Sequence, residues 1–362
     1  MGIIVKRVLV LNIGGIGDMV MATPSLDVIS KNVEDKTFDL LTTKRSSTVI
    51  EKAVFIRKIY TIDVSLLTGR VSIKSLILFF TSIFTLLRLR LRRYELAVDL
   101  MAVESPAAAR RRRFLLALIS PFRCAGRNTN GWAGYLDVGA GEELLSDVHE
   151  VERKLSVTKA LGMDYAGEKM TVFTTPSDRE AARSLLRSIV ETRGEHKRDI
   201  KGFSVLIPGA YRPTRRWNRE GFISVGRYLT DRFGLGVLVF GISDEGEIIS
   251  HVTENIPGAI AVYDTEPRAM FEVFRECDII VTNDTGPMHI AAAAESPGIV
   301  SIFGPENHNR YAPYGKGLKA EVIFGGADCS PCTLFECDKM DCMKDIGPEV
   351  VKEAIDRLME WG

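Results

Sequence analysis

The chain contains 362 residues, 46% of them hydrophobic and 26% charged, which is enough for two or three domains that each bury a core. This composition excludes a disordered chain, a collagen and a small disulfide scaffold. The 47 basic and 47 acidic side chains cancel, so no overall field attracts a nucleic acid, and an anionic partner has to meet a local basic patch.

Short aliphatic runs alternate with segments of helical spacing along the chain, and the alternation restarts after Gly202. The predicted strands of the first series are 7–13, 37–43 and 95–100, and those of the second include 236–241 and 278–284. Strands that alternate with helices form parallel sheets covered by helices, so the predicted fold class is α/β with two Rossmann-like domains. Because such sheets bind ligands beyond the carboxyl ends of their strands, functional residues are expected directly after these runs.

The domain boundary is predicted within 168–180, where a short strand and a Thr-Thr-Pro-Ser-Asp turn lead into a new helix. We therefore expect an N-terminal domain over residues 1–172 and a C-terminal domain over residues 173–345. The polar segment 191–199 is expected to form a surface loop.

The last predicted helix runs from Pro348 to Trp361, and its first residue is a proline, which favours a helix N-terminus. Its apolar face comprises Val350, Val351, Ile355 and Leu358. Residues 346–362 are therefore expected to form a C-terminal helix of their own, able to pack back on the N-terminal domain.

The N-terminal apolar run is interrupted by Lys6 and Arg7 and ended by glycines, which is typical of a buried strand and not of a secretory signal. The apolar stretch 75–87 is well short of the roughly 20 residues that cross a membrane. Arginine-rich sequences follow at 88–93 and 110–113, and basic charge beside apolar helical surface suits contact with an anionic membrane leaflet. A buried helix with a solvated basic end explains the same composition.

Gly14, Gly15 and Gly17 follow the first predicted strand and precede a segment of helical spacing. Glycines at such a turn let the backbone approach a ligand, and the helix N-terminus favours negative charge there. A dinucleotide fingerprint would start at Gly15, but its third glycine is missing, and Thr43 stands where a ribose-binding acid is wanted. Nicotinamide chemistry is therefore disfavoured.

Asp18, directly after this glycine loop, has two interpretations. An aspartate in the first turn commonly caps the helix or complements its positive end, and the spacing alone favours this role. The second interpretation is a general base at the mouth of a cleft between the domains, where it takes a proton from a substrate hydroxyl.

The segment 283–294 combines a strand that ends at Asp284, a turn at Thr285 and Gly286, and an alanine-rich helix. Free N–H groups at the helix start and the Thr285 hydroxyl predict a phosphate site. His289 falls on the first turn, where it can donate to an anion; a capped helix with a partly buried histidine is the alternative. The letters Asp-Thr-Gly also occur in aspartic proteases, but those need two such loops in an all-β fold.

A cationic loop follows another predicted strand and contains Trp217. Its four arginines are Arg212, Arg215, Arg216 and Arg219. Guanidinium groups bind phosphate oxygens in a bidentate manner, which predicts an anion site. The alternative is a run of charged side chains that only faces solvent. Arg310, in the loop 304–315 after a later strand, is positioned to reach the same anion.

Together these motifs resemble glycosyltransferase family 9, the ADP-heptose:lipopolysaccharide heptosyltransferases. The resemblance covers nearly the whole chain, from IGGIGDMVMATPSL through RRWNREGF, FGISDEGE, NDTGPMHIAAA and FGPENHNRYAPYG to the final cysteine segment. It implies a GT-B architecture, in which two Rossmann-like domains face each other across a cleft, the first binding the acceptor and the second the donor nucleotide. It also implies an inverting, metal-independent transfer of a heptose from ADP-heptose to the inner core of lipopolysaccharide at the cytoplasmic leaflet.

By the same resemblance, Asp18 matches the catalytic base of the family, and Asp284, Thr285, Gly286 and His289 match its donor-phosphate loop. No single motif fixes heptose over another sugar, or ADP over UDP. A transferase with another nucleotide sugar, a non-catalytic nucleotide-sugar-binding module and a sugar-nucleotide epimerase are the alternatives.

Two further positions depart from the family pattern or are ambiguous. Arg215 falls where many members have a phosphate-binding lysine, and Asn218 stands where they have proline after the tryptophan. Glu245 resembles a family carboxylate near the donor nucleoside, although the neighbouring acids Asp244 and Glu247 leave open which of the three matches that family position.

Four of the six cysteines lie within fourteen residues, namely Cys329, Cys332, Cys337 and Cys342. Their spacing is close to that of a zinc knuckle and could close a tetrahedral structural zinc site, while reduced thiols or adventitious disulfides are the alternative. This distribution does not resemble an extracellular disulfide framework, so a cytoplasmic protein is expected. The transfer that the resemblance implies requires no cofactor.

Overall fold

The structure is a computed structural model that describes residues 5–63, 73–192, 200–332 and 334–360. The chain divides into two compact units, Met1–Phe173 and Thr174–Gly362. Over the residues described, no helix is both long enough and apolar enough to cross a membrane.

Unit 1 contains a six-stranded parallel sheet in the order β3-β2-β1-β4-β5-β6. Its strands are β1 (Val8–Asn12), β2 (Phe38–Thr42), β3 (Ile56–Thr61), β4 (Leu96–Asp99), β5 (Arg123–Thr129) and β6 (Val138–Glu142). Its helices are α1 (Ile16–Asn32), α2 (Lys44–Ser47), α3 (Ile73–Leu91), α4 (Pro106–Ile119) and α5 (Glu150–Ala160). Every residue of β1 is buried, as expected for a central parallel strand covered on both faces.

Unit 2 contains a second six-stranded parallel sheet in the order β12-β11-β10-β7-β8-β9. Its strands are β7 (Gly202–Ile207), β8 (Leu235–Gly241), β9 (Ile260–Tyr263), β10 (Ile279–Asn283), β11 (Ile299–Phe303) and β12 (Ala320–Phe324). Its helices are α6 (Pro176–Thr192), α7 (Arg219–Phe233), α8 (Gly246–Glu254), α9 (Pro267–Arg275), α10 (Gly286–Ala293), α11 (His308–Tyr311), α12 (Asp341–Lys344) and α13 (Pro348–Glu360).

Both sheets follow the strand order of a Rossmann fold, in which the chain reverses its direction of travel at one point. That switch point lies between β1 and β4 in unit 1 and between β7 and β10 in unit 2. The predicted α/β class with two Rossmann-like parallel sheets is therefore confirmed. Since ligands bind outside the carboxyl ends of the strands at such points, the loops after β1, β7 and β10 are the candidate binding regions.

The last helix, α13, belongs to unit 2, where it packs on α7 and on strands β11 and β12. Val351, Ala354 and Ile355 form its buried side, whereas Val350 is 48% exposed. The prediction that Val350 shares the apolar face is wrong, because it lies one position before the i, i+3, i+4 stripe that the helix buries. Trp361 lies outside the described residues.

The prediction of a short strand near the domain boundary is wrong, because residues 168–174 form no strand. Their backbone groups bond elsewhere: Thr171 N donates to the Thr23 hydroxyl at 3.0 Å, and Phe173 N donates to the Val49 carbonyl at 3.1 Å. The surface loop predicted at 191–199 begins inside α6, and its residues 193–199 lie outside the described part of the chain.

Candidate active site

In unit 1 the glycine loop joins the end of β1 to the start of α1, as predicted, and Asp18 lies in the first turn of that helix. The Asp18 Oδ2 atom accepts a hydrogen bond from the Gly15 backbone N at 2.9 Å. The side chain therefore caps the helix N-terminus, which was the plainer of its two interpretations. Because Asp18 is only partly buried and a carboxylate has a second oxygen, this contact leaves it able to accept a proton.

Gly14 must be a glycine because the Asp18 carboxylate lies against its backbone. A Cβ atom at position 14 would stand 2.5 Å from Asp18 Oδ2 and 2.7 Å from its Cβ, which is far inside van der Waals contact. The Gly14 carbonyl also accepts hydrogen bonds from the Ser46 hydroxyl at 2.6 Å and the Thr43 hydroxyl at 3.2 Å. The start of α2 thus fixes the loop that presents Asp18, while Gly17 is buried within α1.

In unit 2 the arginine loop follows β7 and Asp284 follows β10, on the two sides of the switch point. The Arg215 Nη1 atom lies 3.1 Å from Asp284 Oδ2. A second carboxylate, that of Glu306, accepts hydrogen bonds from the guanidinium groups of both Arg212 and Arg215. Since adjacent parallel strands end at the same edge of a sheet, residues distant in sequence meet here as one cationic and acidic cluster.

Asp284 is 3% exposed, and burial raises the pKa of its carboxyl while the positive charges of Arg215 and Arg212 oppose that rise. The two arginines are therefore what makes the charged form of Asp284 tolerable at this depth. The pairing also holds Arg215 in a defined position at the end of β10.

The remaining residues of the predicted phosphate loop lie at the start of α10. Thr285 is the N-cap residue, with extended backbone, and its side chain makes no capping hydrogen bond. Gly286 is the first helical residue, and His289 follows one turn on with only 4% of its surface exposed. The helix thus begins directly beside Asp284, and its positive end faces the region just past β10.

Glu245 is the inward-facing member of the acidic run after β8. A Cβ atom placed on Gly209 would lie 2.1 Å from its Oε2 atom, so its carboxylate rests on the backbone of the loop after β7. Arg216 Nη2 lies 3.5 Å from Glu245 Oε1. Asp244 is exposed, and the side chain of Glu247 is 96% exposed and lies 3.8 Å from Arg219 Nη1, so of the three acids it is Glu245 that lies against Gly209 and Arg216.

Two residues hold the arginine loop in place. Asn283, the last residue of β10, accepts a hydrogen bond from Trp217 N at 3.0 Å and donates to the Pro208 carbonyl at 2.8 Å. Trp217 is buried, and its indole Nε1 donates to the Ile346 carbonyl at 2.8 Å. The loop after β7 is therefore anchored both to the neighbouring strand and to the segment before α13.

Arg310 lies on the short helix α11 after β11 and is 8% exposed. Its guanidinium carbon is 5.0 Å from the centre of the Tyr311 ring, which is a cation–π distance. Its side chain is therefore packed near the strand ends of unit 2 rather than extended into solvent.

The four clustered cysteines lie between β12 and α13 and are free thiols. Burial raises the pKa of the Cys342 thiol, and the other three cysteines raise it further, so the four lie in one neighbourhood. Nevertheless, among the described residues no three His, Cys, Asp or Glu side chains converge as metal ligands.

The sequence profile of glycosyltransferase family 9 (heptosyltransferase) matches residues 144–342, more than half of the chain. The chain belongs to glycosyltransferase family 9. The match contains the whole cluster of Arg212, Arg215, Asp284 and Glu306.

Lipooligosaccharide heptosyltransferase 2 of Campylobacter jejuni is 29% identical to this family 9 chain over 162 residues, which cover 42% of this chain and 50% of the relative. The chain thus spans about half the length of the curated relatives it matches first. Solved structures match over nearly the full length. The family 9 glycosyl transferase from Veillonella parvula has a TM-score of 0.74 at 19% identity, with 100% and 99% of the two chains covered. Escherichia coli ADP-heptose lps heptosyltransferase II has a TM-score of 0.70 at 17% identity, with 98% and 99% covered. At these identities the structures establish the GT-B fold class.

The sequence alone assigned no role to Glu306. It identified Arg212 and Arg216 only as members of a run of arginines. Glu306 follows β11 directly, so its place after a strand was the available signal. Which arginines it contacts depends on the adjacency of β7, β10 and β11, which a single motif does not reveal.

Proposed function

We propose that this protein is an inverting glycosyltransferase that moves a heptose from ADP-heptose to an inner-core lipopolysaccharide acceptor. The observation that carries the proposal is the arginine cluster at the switch point of unit 2, inside the region that matches family 9. The names of the relatives, heptosyltransferases of lipooligosaccharide and lipopolysaccharide, support the same sugar and acceptor.

On the acceptor side, Asp18 is the proposed general base. As an acceptor hydroxyl oxygen forms a bond to the anomeric carbon, the hydroxyl proton passes to the Asp18 carboxylate. The bond from the anomeric carbon to the diphosphate oxygen breaks from the opposite face, which inverts that carbon. The Gly15 N–H bond to Oδ2 fixes the carboxylate while its remaining oxygen takes the proton.

On the donor side, the diphosphate leaving group gains negative charge as its bond to the sugar breaks. Arg215 and the N-terminus of α10, with Thr285, Gly286 and His289, are proposed to stabilise this charge, and Arg310 is proposed to approach the same phosphates. Fixed donors in a partly buried site each contribute a few kcal/mol to such stabilisation. We therefore propose that no divalent ion is needed. Glu245 is proposed to lie near the donor nucleoside.

The donor assignment predicts a nucleotide preference that thermal unfolding can measure. ADP and ADP-sugars should raise the melting temperature more than UDP counterparts do, since a ligand at about 100 times its dissociation constant adds roughly 2.7 kcal/mol of stability. Transfer from ADP-heptose to a lipid A acceptor bearing the first core sugars should then proceed in a buffer that contains EDTA. Equal shifts with UDP and ADP would contradict the donor, and binding without transfer would point to a nucleotide-sugar-binding module.

The structural zinc predicted from the cysteine spacing stays a prediction, which elemental analysis of the purified protein can test. We propose no part for zinc in the transfer.

The proposed acceptor is anchored in a membrane, and α3 with α4 presents a surface suited to one. We call it the α3–α4 surface. Its exposed apolar side chains include Phe84, Leu87, Leu91, Phe114 and Phe122. Arginines of the segments 88–93 and 110–113 are exposed as well, and the Arg90 guanidinium joins the two helices by donating to the Leu118 carbonyl at 3.2 Å. We propose that this surface rests on an anionic leaflet, since exposed apolar side chains and basic charge on the same helices favour binding there.

Vesicle binding tests this surface. The protein should co-sediment with phosphatidylglycerol vesicles, less with phosphatidylcholine vesicles, and less in high salt, because screening weakens the arginine contribution. Phe84→Ser with Leu91→Ser should reduce binding several-fold, whereas Leu145→Ser, at an 84% exposed site of the same unit, should not. Equal loss in both variants would contradict a localised docking surface.

A further inference from the structure

Glu306 occupies an unexpected place for a carboxylate. It lies between β11 and α11 and accepts hydrogen bonds from Arg212 and Arg215, the residues expected to meet a phosphate. The side chains of Glu306 and Arg212 are each 14% exposed, and that of Arg215 is 25% exposed. An acid is thus held at the point where the arginines would hold the donor.

The charges at this point explain why Glu306 matters. Three arginines of the loop after β7 contact carboxylates: Arg212 and Arg215 contact Glu306, Arg215 also contacts Asp284, and Arg216 contacts Glu245. In these contacts three guanidinium groups meet three carboxylates, so an incoming diphosphate has to compete with acids for the donors of these arginines. Guanidinium groups bind phosphate oxygens through the same charge-assisted hydrogen bonds that they make to carboxylates.

Of the three acids, Glu306 is the one whose position best suits displacement. Asp284 is 3% exposed and directly follows a central strand, and Glu245 lies against the backbone at Gly209. Glu306 stands in the connection between β11 and α11, where a change of side-chain rotamer needs no movement of the sheet.

We propose that Glu306 is an internal anion that occupies the diphosphate subsite in the absence of donor and is displaced when the donor binds. This inference rests on the proposed function, because it takes the donor to be a nucleoside diphosphate sugar. In the free protein, the Glu306 carboxylate orients Arg212 and Arg215, and its negative charge offsets the repulsion between their two guanidinium groups. On binding, the diphosphate oxygens replace its carboxylate, so donor affinity is lower than the arginines alone would give.

Calorimetric titration of Glu306→Gln tests the proposal, with ADP, inorganic pyrophosphate and adenosine as probes. The variant should bind ADP and pyrophosphate about three- to tenfold more tightly than the unaltered protein, since a competing ion pair is removed, and should bind adenosine with unchanged affinity. Glu321→Gln is the matched control, because it removes the same charge from an ion pair between β12 and Arg357 of α13, and its affinities should be unchanged.

Unchanged or weaker binding of ADP by the Glu306→Gln variant would overturn the internal-anion role while leaving the donor assignment intact. Failure of both proteins to bind ADP and pyrophosphate would overturn the diphosphate site itself, and the proposed function with it. Glu306→Ala, which also removes the carboxylate, should likewise bind ADP and pyrophosphate more tightly. Thermal unfolding shows whether each variant is folded.

Discussion

Asp18→Asn is expected to reduce sugar transfer by about 10²–10⁴-fold, the usual contribution of a general base, while the affinity for ADP stays unchanged. Asparagine has the shape of aspartate, and its amide oxygen can accept the same hydrogen bond from Gly15 N, so the helix cap is retained. What it cannot do is take up the proton of an acceptor hydroxyl at neutral pH. Rates of ADP release with acceptor present, together with calorimetric binding of ADP, separate the two effects.

Asp27→Asn is the matched control for this experiment. Asp27 lies on the same helix, α1, and pairs with Lys31 at 2.9 Å, with 35% of its side chain exposed. Losing an ion pair of this exposure changes stability by less than about 1 kcal/mol, so the transfer rate should stay near that of the unaltered protein. A near-normal rate in Asp18→Asn would show that Asp18 is only a cap.

The strands most easily predicted from sequence are those at the centre of each sheet. β1, β10 and β11 consist mainly of aliphatic residues and are buried throughout, because a parallel strand covered on both faces has no side open to water. Their apolar runs and the polar residues that follow them were sufficient to predict two Rossmann-like series and to point to the loops after β1, β7 and β10.

The strands that the sequence did not predict lie at or near the sheet edges and contain polar residues. In unit 1, β5 carries Arg127, whose buried guanidinium pairs with Glu142 at 2.9 Å and with Glu150. Its charge is tolerated only because β6 and α5 supply these carboxylates. A local hydrophobic pattern cannot indicate a strand whose burial depends on ionic partners elsewhere in the chain.

Part of the candidate site was also predictable, because some of its residues directly follow strands that the sequence predicts. The positions of Arg215 and Asp284 after strands follow from the alternation of elements, and adjacency of β7 and β10 follows from the Rossmann order. Glu306 and Gly14 required the structure, because one depends on which side chains meet beyond three strands and the other on how closely a carboxylate approaches a backbone.

Arg215→Ala is expected to lower kcat/KM for the nucleotide sugar by about 10²–10³-fold, the loss typical when one fixed donor to a developing charge is removed. Arg215 contacts both Asp284 and Glu306, so its loss also leaves two acids at the proposed diphosphate site with less opposing charge. ADP binding should weaken together with transfer. Steady-state kinetics with ADP-heptose and calorimetric binding of ADP measure both.

Arg219→Ala is the matched control, since Arg219 belongs to the same arginine run but is 47% exposed and lies 3.8 Å from its acidic neighbours, and it should change kcat/KM by less than about twofold. Arg215→Lys should recover only part of the loss, because an ammonium cannot contact two partners in the planar geometry of a guanidinium.

The Arg215→Ala variant should also differ from the unaltered protein in how its stability depends on pH. With Arg215 gone, the pKa of the buried Asp284 carboxyl rises further above that of an aspartate in the unfolded chain, so the folded state binds a proton that the unfolded state does not. Its deficit in stability relative to the unaltered protein should therefore shrink as the pH is lowered from 7 towards the ordinary aspartate range. A deficit that stays constant over this range would mean that Asp284 does not depend on Arg215 for its charge.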